Sequence, residues 1–289
     1  MPKSSNREIL VTGATGKQGG AALRHLRERG FPVRALTRDP NSDKARALVG
    51  RGTEVVRGDL NDSASLTRAL DGVYGVYSVQ ATNVQDIEAE VREGTNLIDA
   101  ARRSRISQFV YSSVGAADQH TAIPHFETKA RIEEHLRNSG LHYAIFRPVF
   151  FMENWLAMRE QIEQGTLALP LSPDTRLQMI AVDDIGTFVT LAFEKPGHFE
   201  GKATELAGDE LSMTEVAERL GRASGREVAY RQVPWDQWEQ KVGREMTAMY
   251  RWFEEHGYSV DISQVRQEYS QLTGFDRWLS MHWTRRQAA

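Results

Sequence analysis

Over the first half of the chain, short apolar runs alternate with longer stretches whose apolar residues recur every three or four positions. The runs at 9–11, 33–37, 54–57, 73–79, 109–113 and 141–147 have the length and the polar flanks of strands. The stretches between them predict helices. The first carries Ala21, Ala22, Leu23 and Leu26 and stops at Gly30; the next spans 42–51 and ends at Gly52. Others follow through Ser63, Leu66 and Leu70, over 84–104, and from His125 through Ile132 and Leu136 to Gly140. This alternation is the pattern of a parallel sheet with helices on both faces. From Trp155 it lapses. Residues 153–163 read as helix, 165–173 as loop with a short strand, and 179–185 as strand entering a helix that runs to Glu194 and returns to the sheet. A polar linker at 195–202 follows, then a small strand at 204–207. Ser212-Met213-Thr214-Glu215 is a capping box for a helix ending at Ser224, and 228–233 is another strand. Beyond Pro234 the pattern is helical and aromatic, with Trp235, Trp238, Tyr250, Trp252, Phe253, Trp278 and Trp283. The expected architecture is α/β: a doubly wound parallel sheet with a smaller, mainly α C-terminal lobe. Residues 1–152 form the first domain, with 177–196 returning to it. Residues 153–176 and 197–289 form the lobe.

The chain has 289 residues, a formal net charge of −3 and no cysteine. Disulfides, thiolate nucleophiles and thiolate metal sites are therefore out of reach. The small negative charge gives no reason to expect a nucleic-acid partner. No apolar run is long enough to cross a bilayer, and residues 1–7 lack the apolar core of a signal peptide. A cytoplasmic protein is expected. The eight histidines show no ligand-like spacing, so no metal site is expected, and no Gly-x-Ser-x-Gly elbow points to a serine hydrolase.

The chemistry concentrates at the ends of the predicted strands, where ligands of such sheets bind. The first strand runs into Gly13-Ala14-Thr15-Gly16-Lys17-Gln18-Gly19, and a helix opens directly behind it. Gly13 permits a tight turn, Gly16 leaves the backbone bare for a pyrophosphate, and Gly19 lets the helix pack closely. The helix then turns its free N–H groups on the anion. A glycine turn also occurs as a plain structural device; the strand-to-helix setting favours a dinucleotide. At the tip of the second strand stand Thr37 and Arg38. A guanidinium there can clamp a 2′-phosphate, which favours NADP(H), whereas Asp39 keeps NAD open and a solvated Arg38 is the plainer alternative. Asp59 and Leu60 close the third strand. Asp59 either accepts from the adenine amine or starts the following helix. Gln80, Ala81 and Thr82 extend the fourth. His125 and Lys129, four residues apart, share a helix face. Phe151, Met152, Glu153 and Asn154 leave the last strand as an aromatic and apolar cluster that suits a nicotinamide or a flat substrate, or simply a core.

The glycine loop, Thr37-Arg38, Gly58-Asp59-Leu60, His125-Phe126 with Lys129, Phe151-Met152-Glu153-Asn154 and Val182-Asp183-Asp184-Ile185-Gly186 follow one another as in the NmrA-like proteins, which this chain resembles over nearly its whole length. These are atypical members of the short-chain dehydrogenase/reductase superfamily. The resemblance implies a Rossmann domain and a smaller lobe with NADP(H) between them. It implies that the glycine loop holds the pyrophosphate, Arg38 the 2′-phosphate and Lys129 the nicotinamide ribose, with 151–154 near the nicotinamide. Typical members of the superfamily carry Tyr-x-x-x-Lys; here His125 stands at the Tyr position. It is a candidate acid–base group, or merely a helix-start residue. Tyr111 has the wrong spacing to replace the missing tyrosine. Ser112 and Ser113 fall where the superfamily places its serine. The family divides into reductases of quinones, azo compounds, dyes and similar flat acceptors, and regulators that sense NADP(H) through a protein partner. The first of these is the expectation for this chain; the second is its alternative.

Overall fold

The computed structural model describes residues 7–81 and 86–283. The predicted helix start at Val84 and the candidate Thr82 lie outside the described residues. In chain order the elements are β1 (Ile9–Val11), α1 (Lys17–Glu28), β2 (Val33–Thr37), α2 (Asp43–Val49), β3 (Glu54–Arg57), α3 (Ser63–Ala69), β4 (Gly75–Ser78), α4 (Ile87–Arg103), β5 (Gln108–Ser112), α5 (Pro124–Arg137) and β6 (Tyr143–Pro148). There follow β7 (Phe150–Phe151), a 3-10 helix (Met152–Met158), α6 (Arg159–Glu163), β8 (Thr166–Leu169), β9 (Arg176–Ile180), α7 (Val182–Glu194), α8 (Pro196–Phe199), β10 (Ala203–Leu206) and β11 (Asp209–Ser212). The chain continues with α9 (Met213–Ser224), β12 (Ala229–Gln232), α10 (Trp235–Val242), α11 (Arg244–Glu255), α12 (Ile262–Glu268) and α13 (Phe275–His282). It divides into two compact units, Met1–Arg147 with Val182–Glu205, and Pro148–Ala181 with Leu206–Ala289.

The first unit is built on a seven-stranded sheet in the order β10-β6-β5-β4-β1-β2-β3. The pairs from β6 to β3 are parallel; Leu10, for example, stands opposite Arg34 on β2 and Val76 on β4. Strand order reverses at β1, which lies between β2 and β4. In open sheets of this kind that reversal leaves a crevice at the carboxyl ends of the strands. β5 is buried along its whole length, as a central parallel strand covered on both faces should be. One face packs Val76, Phe109 and Tyr111 against Leu66 of α3, Leu97 and Ile98 of α4, and Ile132 and Leu136 of α5. Gly75, next to Val76, looks the other way. A Cβ on it would lie 2.7 Å from the Phe193 ring of α7.

Two helix pairs approach closely through glycine. A Cβ on Gly186 of α7 would stand 2.7 Å from the Ala21 carbonyl carbon of α1. A Cβ on Gly94 of α4 would meet the Ile132 side chain of α5 at 2.7 Å. The second approach matters for the site, because it brings the preceding turns of α4 and α5 within reach of each other.

The second unit carries a three-stranded sheet, β11-β9-β7, and a two-stranded parallel pair, β12-β8. Most of the remainder is helical. Its core is aromatic: Trp155 and Trp278 are fully buried, and Phe275 stacks on Trp278 at 5.8 Å. The clustered tryptophans of the C-terminal third are thus mostly core side chains. The predicted capping box is present, with Ser212 Oγ accepting from Glu215 N at 3.2 Å and Glu215 Oε2 accepting from Ser212 N at 2.8 Å.

Three segments differ from the sequence reading. Residues 153–163 are not one α-helix: a 3-10 helix precedes α6. The three-residue repeat sets Met152 and Trp155 on one edge, and both are fully buried. The linker at 195–202 holds the short helix α8, whose Phe199 packs edge-on against Phe146. β10, read as part of the smaller lobe, is instead the edge strand beside β6. Gly201 N donates to Tyr143 O at 2.8 Å and Ile145 N to Lys202 O at 2.9 Å, so the register advances along both strands in the same sense. Among the described residues no helix is long and apolar enough to cross a membrane.

Candidate active site

The loop after β1 is shaped by hydroxyl and glycine. Thr12 Oγ1 donates to Val79 O at 2.9 Å and accepts from Val79 N at 2.8 Å, which ties the tip of β1 to the tip of β4. Gly13 adopts φ +60°, and a Cβ there would lie 2.9 Å from Val79 Cγ1. Gly16 N donates to Gly13 O at 2.8 Å and closes the turn. Gly16 is also the N-cap of α1, with no side-chain cap and no acidic residue in the first turn. Helix geometry leaves the N–H groups of Lys17, Gln18 and Gly19 without intrahelical acceptors. They form a nest for an anion, which the macrodipole favours. Gly19 has no room for a side chain: a Cβ would meet Gly13 O at 2.3 Å.

The tips of β1, β2, β3 and β4 open onto one cavity of about 530 Å³, a size within the usual range for a small-molecule site. Gly13, Thr15, Gly16, Thr37, Arg38, Asp59, Leu60, Gln80 and Ala81 all line it, each of them singled out from the sequence. Ala14 and Lys17 face instead a groove between α1 and α2, as do Thr15 and Gly16 from its edge. Gln18 turns inward, and its Oε1 accepts from Ser112 Oγ at the end of β5 at 2.6 Å.

The cavity wall is chemically sorted. Arg38 is exposed and makes no hydrogen bond or ion pair of its own among the described residues. Asp39 beside it also lines the cavity: its Oδ1 accepts from Asn41 N at 2.9 Å, leaving its second oxygen, and its own N–H donates to Thr37 Oγ1 at 3.3 Å. Asp59 does not cap the next helix, since Asp62 holds that position and accepts from Ala64 N. Asp59 Oδ1 accepts from Asn61 N at 2.9 Å, leaving its second oxygen for the cavity. Gln80 is 5 % exposed; its Nε2 donates to Ser78 Oγ at 2.8 Å, while its Oε1 has no partner among the described residues. Such a buried, unanswered acceptor is costly without a ligand. Ala89 and Glu93 of α4 complete the wall. The sequence reading missed both; their spacing of four sets them on one helix face, but nothing in the sequence aims that face at the cavity. Burial pushes the Glu93 carboxyl up, against the hydrogen bond from Asn61 and the charge of Arg38.

A second polar cluster lies where α4, α5 and β5 meet. Lys129 Nζ donates to Glu90 Oε1 at 2.5 Å, and Thr128 Oγ1 donates to Glu90 Oε2 at 2.8 Å. Glu90 is fully buried. His125 stands one turn before Lys129, half-buried, with its ring edge-on to Phe126 at 4.9 Å. The Tyr111 hydroxyl is buried without a hydrogen-bond partner among the described residues. Burial, with the charges of Glu90 and Glu133 adding, pushes it well above its ordinary pKa. One turn further along α5, Glu133 receives Arg147 through Nε at 2.9 Å and Nη2 at 2.7 Å, and Arg137 at 2.6 Å.

In the second unit the four candidates diverge. Met152 is fully buried in the core. Glu153 Oε1 accepts from the Trp278 indole at 2.9 Å, which ties the 3-10 helix to α13. Phe151 pairs with Ile180 in the small sheet, and Phe151 and Asn154 are half-buried. Among the described residues no group of three His, Asp or Glu side chains converges as metal ligands would.

Comparison with known proteins identifies the family and the fold. The pattern that defines the NmrA-like family matches residues 5–279. An NAD(P)H azoreductase of Xenophilus azovorans is 35% identical over 240 residues, covering 81% of this chain and 80% of that protein. An NADPH-dependent quinone oxidoreductase of Escherichia coli, crystallised with NADPH, superposes with a TM-score of 0.81 at 26% identity, covering 94% of this chain and 99% of that one. A negative transcriptional regulator crystallised with NADP has the same fold, with a TM-score of 0.80 at 21% identity over 96% of each chain.

Proposed function

This chain belongs to the NmrA-like family, and from that premise we propose that it is an NADPH-dependent oxidoreductase acting on quinone, azo, dye or similar flat aromatic acceptors. The observation that carries the reading is the cavity shared by four strand tips. It has a bare glycine turn and a helix N-terminus at one end, and, among the described residues, the cation Arg38 without an ion pair at its rim and the acceptor Gln80 Oε1 without a partner in its wall. A pyrophosphate suits the first, a 2′-phosphate the second and a hydrogen-bond donor the third. The residues fit NADP(H).

Within this reading Gly13, Gly16 and Gly19 keep the loop open, and the first-turn N–H groups of α1 bind the pyrophosphate together with Ala14, Thr15, Lys17 and Gln18. Thr37 shapes the turn that presents Arg38. Asp59, Leu60, Gln80 and Ala81 flank the adenosine. In this proposal Lys129 carries positive charge to the nicotinamide ribose, and His125 on the same helix face is the candidate proton donor. The family resemblance alone assigns Phe151, Met152, Glu153 and Asn154 to the nicotinamide end; the side chains of Met152 and Glu153 are engaged within their own unit. When bound, NADPH supplies the hydride, and flat electron-poor acceptors need little further acid–base help. The relatives named for azo and quinone reduction support this acceptor class. The cysteine-free sequence suits a cytoplasmic enzyme.

One observation favours a second reading, an NADP(H) sensor acting through a protein partner: the superfamily's tyrosine is replaced by His125. Calorimetric titration with NADPH, NADP⁺, NADH and NAD⁺, followed by NADPH oxidation with a panel of quinone, azo and triarylmethane acceptors, tests both. Tight NADPH binding with turnover supports the reductase. Binding without turnover on any acceptor leaves the sensor. No binding of any of the four removes both.

A further inference from the structure

We propose that Glu90 is a positioning residue for the cofactor site, holding the Lys129 ammonium in place from within the α4–α5 interface. The inference rests on the reading of Lys129 as a residue that meets the cofactor.

The starting point is a carboxylate in an unexpected place. Glu90 is fully buried on α4, where a charge is costly unless it is paired and hydrogen-bonded. Both oxygens are engaged, one by Lys129 Nζ and the other by Thr128 Oγ1. One turn further along the same two helices, Gly94 and Ile132 make a close apolar contact. That contact suffices to join the helices, and apolar pairs commonly stabilise such an interface as well as an ion pair does. Packing alone therefore gives no reason for a carboxylate at 90.

Position gives one. Lys129 lies on the face of α5 that carries His125, one turn nearer the strand ends. Its side chain keeps about a tenth of its surface accessible. An ammonium has three donors; Glu90 takes one and fixes the direction of the others. A free lysine side chain is rich in rotamers, so an unheld Lys129 would sample many positions. The neighbouring groups on α5 and β5 have other settings: His125, one turn before Lys129, stands with its ring edge-on to Phe126. The Glu133 carboxylate is held by Arg147 and Arg137, and Tyr111 offers only a hydroxyl from β5. Glu90 is the carboxylate paired with this lysine.

The test is a double-mutant cycle read by NADPH affinity and thermal melting, without reliance on turnover. The variants are Glu90→Gln, Lys129→Met, the combination, and the apolar pair Glu90→Leu/Lys129→Leu. The expectation is that E90Q weakens NADPH binding about tenfold, the loss of one well-directed charge-assisted hydrogen bond. K129M weakens it by at least as much, and E90Q adds nothing in the K129M background. The double-leucine protein folds and melts near the wild-type temperature while binding NADPH as K129M does. E90Q binding like wild type beside a weakened K129M overturns the proposal and spares the Lys129 reading. Additive losses, or a double-leucine variant that fails to fold, overturn it in favour of a purely structural pair. A K129M protein that binds NADPH like wild type overturns the Lys129 reading and the proposal with it. A wild-type protein that binds no NADPH removes the proposed function itself.

Discussion

Gly19 lies directly over Gly13: a Cβ on Gly19 would stand 2.3 Å from the Gly13 carbonyl oxygen and 2.5 Å from that of Thr12. The third glycine of the loop is therefore set by contact with the first, before any ligand is considered. Replacing Gly19 with alanine should shift the loop or α1, lowering stability by about 1–3 kcal/mol and weakening NADPH binding more than tenfold. Gly20→Ala is the control. Its Cβ would meet only Ala14 O at 3.4 Å, and removal of a helix glycine should gain about 0.5–1 kcal/mol. Urea unfolding and NADPH titration of the pair check both.

Arg38 at the cavity rim should separate the cofactors. Arg38→Ala is expected to weaken NADPH and NADP⁺ by about 10- to 150-fold, the value of a charge-assisted clamp, and to leave NADH and NAD⁺ unchanged. Calorimetry on wild type and variant reads the difference directly.

The buried Glu133–Arg147 pair should be costly to break from one side. Arg147 also reaches Asp118 at 2.5 Å, joining β6 to the loop after β5. Glu133→Ala leaves a buried guanidinium half-answered and should cost about 3–5 kcal/mol, whereas Arg137→Ala, at the wetter end of the same carboxylate, should cost about 0–1 kcal/mol. Thermal melting of the two single variants decides it.

Asp183 at the start of α7 faces His25 Nε2 at 3.1 Å and is hydrogen-bonded by Arg24. The close approach of His25 first, and then the hydrogen bond from Arg24, hold its carboxyl well below the usual carboxylate range. A depressed carboxylate stabilises above its unfolded pKa and loses that contribution as pH falls through its native one. Asp183→Asn should therefore cost about 0.5–1 kcal/mol near pH 7, a modest value because the side chain is half-exposed. The gap should hold down to about pH 4 and close as the pH falls further below the ordinary aspartate value. Urea melts of both proteins across that range test the sign.

What was legible in the sequence is what local chemistry decides. The loop from Gly13 to Gly19 could be read because spacing, strand and helix all lie within a dozen residues. Arg38, Asp59 and Gln80 could be read because each ends its own strand. Glu90 could not: its partner lies 39 positions away, and only the approach of α4 and α5 at Gly94 brings them together. Ala89 and Glu93 were hidden for the same reason, as residues of a helix face rather than a strand tip. The 3-10 helix at Met152–Met158 escaped because a three-residue and a four-residue repeat look alike over seven positions. β10 was misplaced because four residues of strand carry no mark of the sheet they will join.

The split of the first unit into Met1–Arg147 and Val182–Glu205 bears on how the protein is made. α1 ends at Glu28, yet the helix that covers it, α7, ends only at Glu194. At about 5–20 residues per second, translation leaves the apolar face of α1 waiting on the order of ten to thirty seconds. Throughout that interval Ala21 has no Gly186 of α7 to close over it. The nascent chain must therefore traverse the first segment of the second unit before the nucleotide fold can be completed. A ribosome-bound fragment stopped short of α7 should accordingly be a client of chaperones rather than an early cofactor-binding domain.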